Sequence, residues 1–200
     1  MILEDLVAGR SPFDLGYAVL YPSGAVGFEL RYPERVAILP GAFNPLHLAH
    51  RALWHAASEY LHRPVWWELS VVNVDKPELD AEILRVRLDQ FGRDEDVVLV
   101  TRAPTFAEKA ALFPGATFVV GYDTAARVVD PARGAVLPTL VRMRSLSCRF
   151  LVAGRVWEGE ERTVRSLAVP LGFGHLFEEL PRDMLPVSDV SSTALREATQ

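Results

Sequence analysis

Short apolar runs, each closed by turn residues and separated from the next by a helix-length pattern, constrain this chain more than any other feature. Arg35–Pro40 (RVAILP), Val65–Val72 (VWWELSVV), Asp96–Thr101 (DVVLVT), Ala116–Val120 (ATFVV) and Arg149–Ala153 (RFLVA) read as buried strands, because an uninterrupted apolar run of this length has no face left for water. Phe177–Leu180 predicts a last short strand. Between them, Leu46–Leu61 predicts a helix with Leu46, Ala49, Leu53, Ala56 and Tyr60 as its buried stripe, and Asp80–Phe91 predicts another. Thr105-x-x-Glu108 is a capping box that opens a helix ending near Phe113-Pro114-Gly115. Further helices are expected around Thr124–Val129, Leu137–Ser147 and Ser191–Ala198. Strand and helix alternating at this spacing give an α/β fold, a doubly wound parallel sheet covered on both faces. Such sheets bind ligands beyond the carboxyl ends of their strands, where the strand order reverses. Tyr17–Tyr21 and Ala25–Leu30, around Pro22-Ser23-Gly24, read as a β-hairpin or a pair of edge strands. The chain therefore divides into an N-terminal extension, residues 1–34, and a domain of residues 35–200.

Composition narrows the class of partner. Lys+Arg 21 against Asp+Glu 26 gives a net charge of -5, which supplies no overall basic field for counterion release and argues against nucleic acid. The single Cys148 makes no intramolecular disulfide and no zinc cluster, as in a reducing compartment, and its expected role is that of a small buried apolar group. The N-terminus MILEDLVAGR is acidic where a signal peptide is basic, and no apolar run reaches the roughly 18–20 residues needed to span a bilayer. A soluble, cytoplasmic protein with no membrane partner is expected, and homo-oligomerisation stays open.

The most informative stretch is Gly41-Ala42-Phe43-Asn44-Pro45-Leu46-His47-Leu48-Ala49-His50, directly after a strand and opening a helix. Gly41 and Pro45 shape a tight loop whose backbone N–H groups can point outward, and the helix adds its own unpaired N–H groups and the positive end of its dipole. This is an anion site in outline. His47 and His50, three apart, share one face of the first turn, where two donors could reach a phosphate together. Such a pair is also compatible with a solvated helix face, or with a metal, although two imidazoles without a third ligand make a poor zinc site.

The segment resembles the G-x-F-[DN]-P-x-H-x-G-H signature of the nucleotidyltransferase superfamily, which includes nicotinamide and nicotinate mononucleotide adenylyltransferases, phosphopantetheine adenylyltransferase and the cytidylyltransferases. Val190-Ser191-Ser192-Thr193-Ala194-Leu195-Arg196 resembles the same superfamily's I-S-S-T-x-x-R, and two motifs in the right order are more specific than either alone. Gly121-Tyr122-Asp123 resembles its G-x-D, and Phe150–Arg155 its strand that ends in Arg before the base pocket. Ser70-Val71-Val72-Asn73-Val74-Asp75-Lys76 is most similar to the S-x-V-N-x-x-x-K run of the mononucleotide adenylyltransferases, with Lys one residue early. The longer run ELSVVNVDKP, with Phe113-Pro114-Gly115 and Gly121–Arg127, is also similar to a cytidylyltransferase-like subgroup. Ala49 stands where the signature has Gly, and Ala42 where it has Thr or Gly.

The resemblance implies a Rossmann-like nucleotidyltransferase fold over residues 35–200. The implied activity is transfer of a nucleoside monophosphate, AMP from ATP or its CTP counterpart, to a small phosphorylated acceptor such as nicotinamide or nicotinate mononucleotide, as in NAD biosynthesis. Pyrophosphate leaves and Mg2+ assists, carried by phosphate and water with no dedicated protein cage. His47, His50 and Arg196 would be catalytic. Gly41, Ala42, Phe43, Gly121, Asp123, Arg155, Ser191, Ser192 and Thr193 would bind the nucleotide, and Ser70, Asn73 and Lys76 the acceptor. Plainer roles stay open beside these. Ser191–Thr193 would cap a helix in any protein, Arg196 could be solvated, and Asp123 could cap a helix rather than hold a ribose hydroxyl or a magnesium-bound water. On the Asp80–Phe91 helix, one of Arg85 and Arg87 is expected to face the site. Trp66 and Trp67 must point to opposite faces of their strand, and with Trp54 and Trp157 they are the aromatics that could stack on an acceptor ring. A nucleotide hydrolase and a non-catalytic nucleotide sensor are the alternative functions.

Overall fold

The computed structural model describes residues 2–9, 17–21, 25–27, 35–72, 79–92, 96–157 and 159–185. Helix α1 (Ile2–Val7) and strands β1 (Tyr17–Leu20) and β2 (Val26–Gly27) come first. The doubly wound part follows as β3 (Ala37–Pro40), α2 (Leu48–Leu61), β4 (Val65–Ser70), α3 (Ala81–Leu88), β5 (Val98–Thr101), α4 (Phe106–Leu112), β6 (Thr117–Gly121), α5 (Tyr122–Val128), α6 (Val136–Ser145) and β7 (Arg149–Ala153). A two-stranded ribbon, β8 (Arg155–Trp157) with β9 (Glu160–Arg162), precedes the last strand, β10 (Phe177–Leu180).

The main sheet has the order β10-β7-β6-β3-β4-β5-β1-β2, with every pair from β10 to β5 parallel and β1 and β2 antiparallel additions. Counting only the parallel strands in chain order, this is 3-2-1-4-5-6 read from β5 to β10, the Rossmann-like arrangement. The order reverses between β3 and β6. The hairpin expected near the N-terminus is present as β1 and β2, and β1 pairs along its whole length with β5, Tyr17 opposite Thr101. Helix α1 and the β8–β9 ribbon were not anticipated.

Two apolar layers sandwich the sheet. One gathers Trp54, Ala57, Trp67, Leu84 and Leu88 beneath α2 and α3, and the other gathers Trp66, Ala110, Ala125, Leu140, Met143 and Phe150 beneath α4, α5 and α6. Trp66 and Trp67 do diverge to opposite faces, and both are core residues. Trp54 is core as well: it stacks on Trp67 with ring centres 5.8 Å apart, and its indole N–H donates to the Val65 carbonyl. It cannot stack on a ligand. Of the expected stripe on α2, Ala56 is buried and Leu46, Leu53 and Tyr60 pack partly covered against the core, but Trp54 and Ala57, outside that stripe, are buried as well. A large indole beside a small alanine fits the layer better than a row of medium side chains. Cys148 is buried, as expected, and burial pushes its thiol pKa up. Among the described residues no helix is long and apolar enough to cross a membrane.

Candidate functional site

The strand order reverses between β3 and β6, which puts the loop after Pro40 and the turn after Gly121 at the switch point, where sheets of this kind hold their ligand crevice at the carboxyl edge. Three side chains of the first motif, Phe43, His47 and His50, settle the shape of its β3 side.

Phe43 lies in the left-handed region at φ 44°, which turns its ring inward. The ring is buried and meets Trp67, Phe91 and His50 edge-on, with centres 5.2–5.4 Å apart, a favourable geometry for aromatic pairs. It also lies against Gly41: a Cβ there would come within 2.6 Å of the ring. Glycine at 41 is therefore imposed by Phe43, and Phe43 serves the site as an anchor beneath the loop. Gln90, just past α3, locks the loop from the other side. It accepts from the Leu46 N–H at 2.7 Å and donates to the Phe43 carbonyl at 2.9 Å.

These bonds alter the expectation that the loop's amides point outward. Gly41 N–H donates to the Glu68 carbonyl, Leu46 N–H to Gln90, and His47 N–H to the ring of His50. What faces a ligand instead is the first turn of α2 and its imidazoles.

His47 is the N-cap of α2, with extended backbone, so the helix begins at Leu48 and not at Leu46. Its ring stacks on that of His50, centres 3.7 Å apart and planes 21° from parallel. His50 occupies the third helical position, and its Nδ1 accepts from the His47 backbone N–H at 3.3 Å. That bond selects the tautomer: a neutral ring accepting at Nδ1 carries its proton at Nε2. Burial, and secondarily the neighbouring His47, pull the His50 pKa down to about 4, and burial lowers that of His47 too. Both rings are neutral at pH 7. Each offers one N–H without a resident positive charge.

On the other side of the crevice Gly121 caps α5, and a Cβ added there would meet nothing within 4 Å, so the space above it is open. Asp123 is the second residue of α5, not its cap, and its carboxylate pairs with Arg155 just beyond β7. The structure thus joins two residues, 32 apart in sequence, that were singled out separately. Gly154 lies close to the Arg162 carbonyl of the ribbon, 3.0 Å from where a Cβ would stand. Among the described residues no three His, Cys, Asp or Glu side chains converge on one point. Among the described residues Asp123 is the carboxylate at this turn, and it is engaged by Arg155.

Ser70 ends β4, next to Thr101, and its hydroxyl donates to the Val72 carbonyl at 2.6 Å. Asn73, Lys76, Ser191, Ser192, Thr193 and Arg196 lie outside the described residues, as does the expected terminal helix. Ala42 is exposed, and its carbonyl accepts from Arg87 Nη1 at 3.0 Å. Arg87 is thus the arginine of α3 that faces the site, with a guanidinium pKa lowered by burial, whereas Arg85 turns away to Glu4.

Two buried ion pairs brace the carboxyl edge. Arg51, one turn after His47, holds Asp96 bidentately and covers Trp67, whose indole N–H also donates to Asp96 at 2.8 Å. Lys109 of α4 reaches Glu68 of β4 at 2.6 Å, and Thr101 donates to the same carboxylate oxygen. Neither pair was anticipated, although a glutamate within VWWELS is a visible exception in an otherwise buried strand. A shallow pocket of about 450 Å³, lined by Leu46, His47, Leu48, Arg51, Asp89, Gln90 and Gly92, adjoins His47 on the α3 side.

Compared with known proteins, the chain matches no family model and no curated protein sequence.

Proposed function

We propose that this protein is a nucleotidyltransferase that moves a nucleoside monophosphate, most simply AMP from ATP, onto a small phosphorylated acceptor such as a pyridine mononucleotide. The observation that carries this reading is the stacked His47–His50 pair at the start of α2, at the reversal of strand order, with the His50 proton directed to Nε2 by a backbone bond. A neutral, pre-oriented donor pair suits a triphosphate, and phosphoryl-type transfer asks for positioning and charge stabilisation rather than covalent chemistry from the protein.

In this mechanism an oxygen of the acceptor phosphate attacks the α-phosphorus. The bond from α-phosphorus to the bridging oxygen breaks, and its electron pair leaves with pyrophosphate. His47 and His50 donate to phosphate oxygens as negative charge gathers on them, and the first-turn amides of α2 add to that field. Asp123 and Arg155 hold the nucleoside side of the crevice, over the open space at Gly121. Asp123 is the described carboxylate that would hold a water of a magnesium ion, whose charge would offset part of that of the phosphates. Ser191, Ser192 and Thr193 are assigned to the outer phosphates, Arg196 to the leaving pyrophosphate, and Ser70, Asn73 and Lys76 to the acceptor.

The test follows pyrophosphate release with magnesium and either ATP or CTP against a panel of phosphorylated acceptors, including nicotinamide and nicotinate mononucleotides. Turnover with one acceptor, lost by orders of magnitude in His50→Ala, is expected. Absence of release with every acceptor would leave nucleotide binding without transfer, and a merely twofold loss in the variant would remove His50 from the mechanism.

A further inference from the structure

At the opposite, amino edge of the sheet two arginine side chains converge on one threonine, beside the backbone of a third arginine. Arg63, between α2 and β4, donates from Nη1 to the Arg35 carbonyl and from Nη2 to the Thr117 hydroxyl at 2.7 Å. Arg149, at the start of β7, donates from Nε to the same Thr117 oxygen at 3.2 Å. Thr117 is itself buried. Two guanidinium groups that share one oxygen at these distances lie well within a Debye length of about 8 Å and repel each other. Arg35 adds a third positive charge to the field at Arg63. Against them stands Glu178, which is 3.6 Å from Arg149 and also accepts from the Tyr60 hydroxyl at 2.7 Å.

Arg63 is the telling member. The acceptors of its two terminal nitrogens are neutral, its Nε is shielded from solvent without a hydrogen-bond partner, and burial and the other two arginines both lower its pKa. Arg63 is half-buried, while Arg35 and Arg149 are exposed at the same edge, so the positive charge of the group is open to an incoming anion. Here the guanidiniums of Arg63 and Arg149 meet on one neutral oxygen, the charge of Arg35 adds to the field at Arg63, and Glu178 is the carboxylate set against them, which leaves an excess of positive charge for an oxyanion to offset. We propose that this edge, formed by Arg35, Arg63, Arg149 and Thr117, is an anion site for inorganic phosphate or the phosphate of a small phosphomonoester, separate from the His47–His50 crevice. Its position at the far end of the same strands makes it independent of the proposed transfer reaction.

The experiment titrates the full chain with inorganic phosphate, and separately with glycerol phosphate, at constant ionic strength, reading arginine Nε–Hε and backbone amide NMR signals. Saturable shifts at Arg63, Thr117 and Arg149 are expected. They should persist in His50→Ala and weaken roughly tenfold or more in Arg149→Gln, which removes one charged donor. Arg35→Gln, a change at an exposed position, should weaken them as well. Tighter binding of the ester than of free phosphate identifies a phosphorylated metabolite as the ligand, and the reverse identifies phosphate. Shifts that fail to saturate, that sodium chloride reproduces, or that survive both arginine variants undiminished overturn the proposal.

Discussion

Replacing His50 by Gln isolates the electrostatics of the candidate site without dismantling it. Glutamine is a customary residue at the third helical position of a capping box and can accept from the His47 N–H as the imidazole does. It cannot take up a proton. In the folded protein the His50 pKa is lowered from 6.5 to about 4, a displacement equivalent to about 3 kcal/mol. The sign follows from proton counts. Between those two pH values the unfolded chain holds a proton on this imidazole and the folded chain does not, so wild-type stability rises with pH across the window and falls on acidification. Above pH 6.5 both states are neutral and the effect vanishes; below pH 4 it levels off. The slope attributable to His50 approaches about 1.4 kcal/mol per pH unit at its steepest.

Urea denaturation of wild type and His50→Gln from pH 7.5 to pH 4 reads this directly. The stability difference at neutral pH sets the baseline, and acidification should move it in favour of the variant by up to about 3 kcal/mol. A difference that stays constant across the range refutes the reasoning, as does an NMR titration placing the His50 midpoint near 6.5. Removing the secondary cause by His47→Ala should raise the His50 midpoint only part of the way, because burial is the larger contribution.

Gly41→Ala drives a methyl into the Phe43 ring and should cost about 1–3 kcal/mol; in a Phe43→Leu background the same change should cost far less, a non-additivity that thermal unfolding of the four proteins measures. Glu68→Gln strands the Lys109 ammonium in the core and should destabilise by about 3–5 kcal/mol, whereas Glu68→Leu combined with Lys109→Met should recover most of the loss in denaturant titrations. If the proposed triphosphate site is right, nucleotide binding near pH 6 should draw protons onto His47 and His50. Calorimetry in buffers of different ionisation enthalpy would detect that uptake, and buffer-independent heats would argue against contact between phosphate and the imidazoles.

The order of strands and helices was legible because burial on both faces writes itself into contiguous runs: β7 spans the residues that its apolar run marks, and β6 lies within one residue of its own. Elements built from charge-rich sequence were not legible. The β8–β9 ribbon, RVWEGEER, carries no apolar run, and only Gly159 in a left-handed conformation marks its turn. Helix periodicity was incomplete on α2: it marked Ala56 and the flanking Leu53 and Tyr60, but not Trp54, whose fit against Trp67 turns the neighbouring face inward too. For the site, the division is between local and distant. Gly41 to His50 is one segment, so its histidines could be paired by spacing alone. Arg87 and Gln90 reach the same loop from 45 and 47 residues away, and no periodicity encodes such a meeting.

The packing also changes what the net charge of -5 means. Positive groups near the carboxyl edge are largely committed within the protein: Arg51 to Asp96, Lys109 to Glu68, Arg155 to Asp123. The two histidines are neutral at pH 7, and burial holds their pKa values below the ordinary range. A polyanion arriving at this crevice meets oriented N–H groups and a helix terminus rather than a standing cluster of cations. Dipoles of this kind bind weakly at long range and strongly in contact, since their field falls off within about one helical turn. Recognition would then depend on the geometry of phosphate oxygens more than on total charge, and an acidic chain can discriminate a nucleotide from the many other polyanions it encounters without first attracting them all.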